Sequence, residues 1–156
     1  PAGSGTFSLL IRRSNHNVTT WIFSSAKIGD PVFIGPASGT CFYNPKEQDE
    51  IVCFAGGIGI SPMISMIRTA RRLGKKQTLY YSIRASEEDT LRNIFGTEIP
   101  PENICIGEKK LSFSSLCTRH PQNTHYFLCG PRNFIDEGIL SLEKNNRPNI
   151  HFERWW

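Results

Sequence analysis

The chain has 156 residues, a formal net charge of +4 and 38% hydrophobic residues, so it is long enough for about one typical domain. It has neither an apolar run of membrane-spanning length nor a leader pattern, which predicts a cytoplasmic protein with no membrane partner. Its five cysteines are odd in number and form no Cys-x-x-Cys pair, so we predict neither a disulfide framework nor a metal site. The basic residues lack interleaved aromatic residues, which excludes nucleic acid from the predicted partners.

The N-terminal region is predicted to be separate from the rest of the chain. Residues 6–13 are typical of a β-strand, and residues 43–50 are polar enough to form a linker. We therefore expect one region at 1–45 and a second at 49–156.

A strand, a glycine-rich turn and a helix are predicted in direct succession after the linker. A β-branched apolar run ends in Gly56, Gly57 and Gly59, which let the backbone turn sharply and approach a bulky anion. Ser61 is predicted to cap the following helix, and Pro62 suits its first turn. The N-terminus of that helix is a predicted binding site for a nucleotide diphosphate. The alternative is a tight strand-to-helix connection with no ligand.

Strands and helices alternate through the remainder of the chain, which indicates an α/β fold with a parallel sheet covered on both faces. Ligands bind such sheets at the carboxyl ends of the strands. The predicted strands are 51–55, 77–83, 103–107, 125–129 and 149–154, the helices lie near 61–73, 87–95 and 132–145, and a short helix or turn is expected around 112–120.

Two later segments support a nucleotide site. Cys129, Gly130 and Pro131 form a second small-residue turn at a strand end, which should face the same crevice as the first. The chain ends in an alternating strand with one carboxylate and two indoles, from Glu153, Trp155 and Trp156.

These motifs together resemble the ferredoxin-NADP+ reductase family. The resemblance consists of Gly-Gly-Ile-Gly-Ile-Ser-Pro at 56–62, Cys-Gly-Pro at 129–131 and Glu-Arg-Trp-Trp at 153–156, and the last segment is most similar to that of bacterial flavodoxin/ferredoxin reductases. It implies a five-stranded parallel Rossmann-like NAD(P)-binding domain at 49–156. Residues 1–45 would then be the end of an antiparallel FAD-binding β-barrel.

The resemblance implies roles for the residues at the strand ends. Cys129 would lie beside C4 of the nicotinamide, and Glu153 would help to hold and polarise that ring. Trp155 or Trp156 would cover the flavin. The alternatives are a core cysteine, a surface carboxylate and a tail that forms an interface.

The resemblance also implies a flavin contact near the start of the chain. A short helix is expected at 17–23, where Val18, Thr19 and Thr20 would bind the FAD pyrophosphate. The main flavin motif of the family, Arg-x-Tyr/Phe-Ser, is absent from this sequence. We therefore expect a fragment that holds FAD weakly or not at all.

The choice between NADPH and NADH depends on the residues after the second predicted strand. Arg84, Ser86 and either Lys109 or Lys110 could hold a 2′-phosphate. Acidic residues at 87–89 would repel that phosphate if they pointed inward, but they also suit the first turn of a helix. NADPH is therefore the favoured cofactor.

The implied activity is hydride transfer from NAD(P)H to FAD, with electrons passed on to a ferredoxin, a flavodoxin or an oxygenase component. Five basic residues on one predicted helix could dock an acidic carrier or could form an ordinary solvated face. They are Arg68, Arg71, Arg72, Lys75 and Lys76. The alternatives are a non-enzymatic nucleotide-binding or regulatory module, and the reductase arm of a larger fused protein.

Overall fold

The structure is a computed structural model that describes residues 5, 8–36, 38–96, 98–107 and 110–153, with the side chains at 91 and 92 excepted. The chain divides into two compact units, Pro1–Gly39 and Thr40–Trp156. Among the described residues, no helix combines the length and the apolar character needed to cross a membrane.

The N-terminal unit contains one helix, α1 (Asn17–Ser24), where the resemblance implied one. The imidazole Nδ1 of His16 caps it by accepting the N–H of Val18 at 3.3 Å. The expected strand at 6–13 is not formed in its described part, residues 8–13, and no strand is present at 14–36 or 38–39. The expected barrel strands are therefore missing from the described part of this unit, because a strand needs a hydrogen-bonded neighbour to complete its backbone pairing.

The second unit is built on a five-stranded sheet in the order β3-β2-β1-β4-β5. All four strand pairs are parallel, which confirms the predicted α/β fold with a five-stranded parallel sheet. The strands are β1 (Glu50–Gly56), β2 (Lys76–Ile83), β3 (Ile104–Ile106), β4 (His125–Cys129) and β5 (Ile150–Phe152).

The helices follow the predicted pattern, with ends shifted by a few residues. Short 3-10 turns at Gly57–Gly59 and Ala85–Glu87 precede two of them. The helices are α2 (Ile60–Arg72), α3 (Glu88–Phe95), α4 (Phe113–Cys117) and α5 (Arg132–Lys144).

An aromatic cluster on one face of the sheet forms the centre of the core. The ring of Phe54 in β1 stacks on Tyr80 at 5.4 Å and on Tyr126 at 6.2 Å, and Phe113 from α4 meets it edge-on at 5.0 Å. All four side chains are buried. This cluster fixes the three central strands, and with them the loops that leave their carboxyl ends.

A histidine pair joins β4 to the edge strand β5. Nδ1 of His125 lies 3.0 Å from Nε2 of His151, and the His151 ring stacks on Phe127 with centroids 4.6 Å apart. Burial lowers the pKa of both imidazoles, and for His151 the facing His125 lowers it further. Glu47 opposes the shift at His125.

The pair predicts an acid-sensitive stability. Each folded-state pKa lies below the usual 6.5, so below about pH 6.5 the unfolded chain binds more protons than the folded one. The free energy of unfolding should therefore fall as the pH drops below that value. Urea unfolding between pH 5 and 8 measures this, and His151→Phe should flatten the dependence. The control is His16→Asn, because His16 is exposed. If this variant lost the pH dependence of the free energy of unfolding to the same extent, the dependence would not come from the His125–His151 pair.

Candidate nucleotide-binding site

The candidate site lies at the carboxyl ends of β1 and β4, which are neighbours in the sheet. From β1 the chain crosses to β2 on one side, whereas β4 and β5 lie on the other. This reversal of strand order creates the crevice in which open α/β sheets bind their ligands.

The first turn places a left-handed glycine directly before α2. Gly57 has φ +54°, a conformation that favours glycine. The N-cap of α2 is Gly59, so the prediction that Ser61 caps the helix is wrong. The Gly57–Gly59 turn already leads the chain into the helix, and Ser61 follows its first residue. Pro62 lies in the first turn of α2, as predicted.

The second turn is in direct backbone contact with the first. A Cβ at Gly59 would lie 2.2 Å from the carbonyl oxygen of Cys129, and a Cβ at Gly130 would lie 3.1 Å from Cα of Gly56. A Cβ at Gly56 would in turn lie 3.0 Å from Cδ of Pro131. The two predicted motifs therefore form one interlocked surface, through five of their ten residues.

A cysteine that the sequence did not single out adjoins this surface. Burial, the nearby Cys129 and Glu153, in that order of effect, together raise the pKa of the half-buried Cys41 to about 11. Cys129 is 2% exposed at the end of β4. The structure thus brings Cys41 into the neighbourhood of two of the predicted catalytic residues, Cys129 and Glu153. The sequence gives no signal for Cys41, because it precedes the predicted linker and belongs to no motif.

The residues after β2 form a short turn with an internal carboxylate. The N–H of Arg84 donates to Oε2 of Glu87 at 3.4 Å, and the N–H of Glu87 donates to the carbonyl of Arg84 at 3.0 Å. The Glu87 carboxylate thus stabilises the turn that leads into α3. This agrees with the alternative in which the acidic residues suit the start of a helix and do not repel a phosphate. Arg84, Ser86 and Lys110 are exposed, and Lys109 lies outside the described residues.

The remaining predicted site residues lie elsewhere. Val18, Thr19 and Thr20 belong to α1 of the N-terminal unit, where the Thr19 hydroxyl donates to the carbonyl of His16 at 2.9 Å. Trp155 and Trp156 lie outside the described residues.

The basic residues of α2 lie far from the glycine turns. Arg68, Arg71 and Arg72 occupy its C-terminal half, and a 13-residue helix is about 20 Å long. The prediction that all five basic residues share this helix is wrong, because the helix ends at Arg72, so that Lys75 follows it and Lys76 begins β2. Nε of Arg68 donates to Oε2 of Glu98 at 2.9 Å and its Nη2 to Oε1 at 2.6 Å. Lys75 forms an ion pair with Asp49. These pairs reduce the positive charge of the cluster.

Metal binding has no candidate centre in the described part of the chain. No group of three or more His, Cys, Asp or Glu side chains in residues 5, 8–36, 38–96, 98–107 and 110–153 is placed to hold a metal ion.

Comparison with known proteins places the chain among reductase-like sequences. No family model matches. A flavohemoprotein of Candida albicans is 37% identical over 152 residues, which cover 84% of this chain and 38% of that protein. A 3-chlorobenzoate-3,4-dioxygenase reductase subunit of Comamonas testosteroni is 24% identical, covering 93% of this chain and 46% of the subunit.

A solved structure gives the same result. Phthalate dioxygenase reductase, described as a modular structure for electron transfer from pyridine nucleotides to [2Fe-2S], is 28% identical with a TM-score of 0.57. The match covers 72% of this chain and 37% of that one. The chain therefore spans less than two thirds of the length of each of these proteins.

Proposed function

Because the chain belongs to the ferredoxin-NADP+ reductase family, we propose that it forms the nucleotide-binding part of a cytoplasmic NAD(P)H-dependent flavoprotein oxidoreductase. The observation that carries the proposal is the pair of interlocked glycine turns at the point where the strand order reverses. Such a crevice suits a dinucleotide, whose diphosphate needs close backbone approach and a helix N-terminus.

The residues of the two turns divide the binding between them. The Gly57–Gly59 turn and the N-terminus of α2 would hold the diphosphate. The N–H of Ile60 takes no part, because it donates to the carbonyls of Gly57 and Ile58 within the turn. Cys129 and Gly130 are small enough to let the nicotinamide ring lie against the end of β4. Glu153 would polarise the ring, and Trp155 or Trp156 would cover the flavin.

The hydride chemistry is supplied by the nicotinamide and the flavin when both are bound. The task of this chain is to orient the nicotinamide and to exclude water. Anaerobic mixing with NADPH and added FAD tests the proposal, since flavin absorbance should bleach in proportion to the nucleotide oxidised. A chain that binds neither NADPH nor NADH would refute it.

FAD binding is assigned to α1, where Val18, Thr19 and Thr20 would contact the pyrophosphate. Thr19 already donates to the carbonyls of Ser14 and His16, so its hydroxyl hydrogen is engaged within the unit. We therefore expect the purified chain to lose its flavin on dialysis, as judged by visible absorbance. Stoichiometric flavin after dialysis would contradict this. Loss of flavin with nucleotide binding retained, and no flavin reduction when FAD is added back, would instead favour a nucleotide-binding module.

Arg84 is the proposed determinant of NADPH preference. This exposed residue follows the carboxyl end of β2. It precedes the turn in which the Glu87 carboxylate accepts the backbone N–H of Arg84. Arg84→Ala should remove one charge-assisted contact and weaken NADPH by about 1.5 to 3 kcal/mol, with NADH little changed. Isothermal titration of both nucleotides measures the difference. Arg72→Ala, at the far end of α2, is the matched control. Equal losses for both nucleotides would place Arg84 outside the 2′-phosphate site.

The electron acceptor is proposed to be a one-electron carrier, such as ferredoxin or flavodoxin, or an oxygenase component. The supporting observation is the name of each reductase relative, which couples it to a dioxygenase. The basic residues at the end of α2 and the start of β2 could receive an acidic carrier. Their ion pairs at Arg68 and Lys75, and their distance from Cys129, favour the alternative of a solvated face.

A further inference from the structure

Tyr81 contacts the glycine turn from the neighbouring strand. It lies in β2 opposite Ala55 of β1 and is 6% exposed. Its hydroxyl donates to the carbonyl oxygen of Gly57 at 2.9 Å. This bond joins a rigid strand in the centre of the sheet to the one residue of the turn with a left-handed backbone, Gly57.

The bond fixes the orientation of one peptide plane. The carbonyl of Gly57 also accepts the N–H of Ile60, so both lone pairs of this oxygen are engaged. In a trans peptide the carbonyl and the following N–H point in opposite directions. With the Gly57 carbonyl held toward Tyr81, the N–H of Ile58 points away from that strand. Ile58 is 39% exposed, so this residue lies on the open side of the turn.

We propose that Tyr81 is a positioning residue that orients the Gly57–Ile58 peptide for a nucleoside diphosphate. The phenol does not touch the ligand. It prevents the peptide from rotating, so that the Ile58 N–H and the first turn of α2 face the diphosphate without reorganisation on binding. The inference rests on the proposed function and adds to it a residue that no glycine motif contains.

The neighbouring Tyr80 offers a matched control. It is 5% exposed in the same strand, and its hydroxyl lies 3.1 Å from Nε2 of His120. Successive strand residues point to opposite faces, and Tyr80 stacks in the aromatic core on Phe54. Tyr80→Phe and Tyr81→Phe therefore each remove one buried phenolic hydrogen bond, but only the second bond reaches the turn.

The test uses the full chain with two probes, ADP-ribose and adenosine monophosphate. Tyr81→Phe should weaken ADP-ribose by about 5- to 10-fold, as expected for one hydrogen bond, and should reduce the preference for ADP-ribose over the monophosphate. Tyr80→Phe should leave that preference unchanged. Hydrogen exchange of the Ile60 amide should quicken in Tyr81→Phe only, because this amide shares the Gly57 carbonyl.

The outcomes separate the two proposals. Wild-type binding of ADP-ribose with an unchanged preference in Tyr81→Phe would overturn the positioning role alone. Equal changes in both variants would do the same, since they would reflect a general loss of stability. Failure of the wild-type chain to bind ADP-ribose or either dinucleotide would overturn the proposed function together with this inference.

Discussion

Alanine at position 59 is expected to abolish dinucleotide binding and to lower the free energy of unfolding by about 3 kcal/mol. The added Cβ would lie 2.2 Å from the carbonyl oxygen of Cys129, 2.5 Å from its carbonyl carbon and 2.8 Å from the N of Gly130. All three are backbone atoms, so no side-chain rotation relieves the contact. The two turns must separate, and the helix N-terminus moves away from the end of β4.

Urea unfolding and titration with ADP-ribose measure the two effects of Gly59→Ala. Gly35→Ala is the matched control, because its Cβ would meet no atom within 4 Å. Gly74→Ala also meets none, but its φ of +68° costs about 1 kcal/mol in strain. If Gly59→Ala were as stable and as active as Gly35→Ala, the turns would not be interlocked as described.

The succession of strands and helices along the chain could be predicted from the sequence because the signals for these elements are local. Apolar runs and glycine turns mark β1 and β4. The observed bounds of β1 extend one residue beyond the predicted ones at each end, and those of β4 match the prediction. The predicted cap at Ser61 was wrong because of the local backbone conformation before the helix. A 3-10 turn begins at Gly57 and moves the N-cap to Gly59, and no pattern of residue types distinguishes that turn from a direct helix start.

The contacts that assemble the site could not be predicted from the sequence. Gly59 is needed for its approach to Cys129, which is 70 positions away in the numbering. Tyr81 and Cys41 come from a neighbouring strand and from the segment before the linker, and they approach the site only once the sheet has formed. The expected strand at 6–13 shows the converse, since strand propensity without a paired neighbour does not produce a strand.

Glu153→Gln is expected to slow hydride transfer from NADPH to added FAD by about 100-fold. The carboxylate follows β5 and lies near Cys41, which also lies near Cys129. A fixed negative charge there would favour the positive charge that develops on the nicotinamide as hydride leaves. Glutamine keeps the shape and removes the charge. Affinity for ADP-ribose should stay unchanged, because that ligand lacks the nicotinamide. Rapid mixing gives the transfer rate, and Glu143→Gln on the exposed face of α5 is the control.

The thiol of Cys41 reports on the same charge without any cofactor. Burial, Cys129 and Glu153 together raise its pKa to about 11, so this thiol stays protonated and reacts slowly at neutral pH. Glu153→Gln removes one of the three causes, and alkylation of Cys41 at pH 9 should then become faster, by a modest factor because burial is the largest cause. Glu143→Gln should leave the alkylation rate unchanged. Faster alkylation with an unchanged hydride-transfer rate would place Glu153 beside Cys41 but outside the chemistry. An unchanged alkylation rate would instead remove the carboxylate from the neighbourhood of the nicotinamide site.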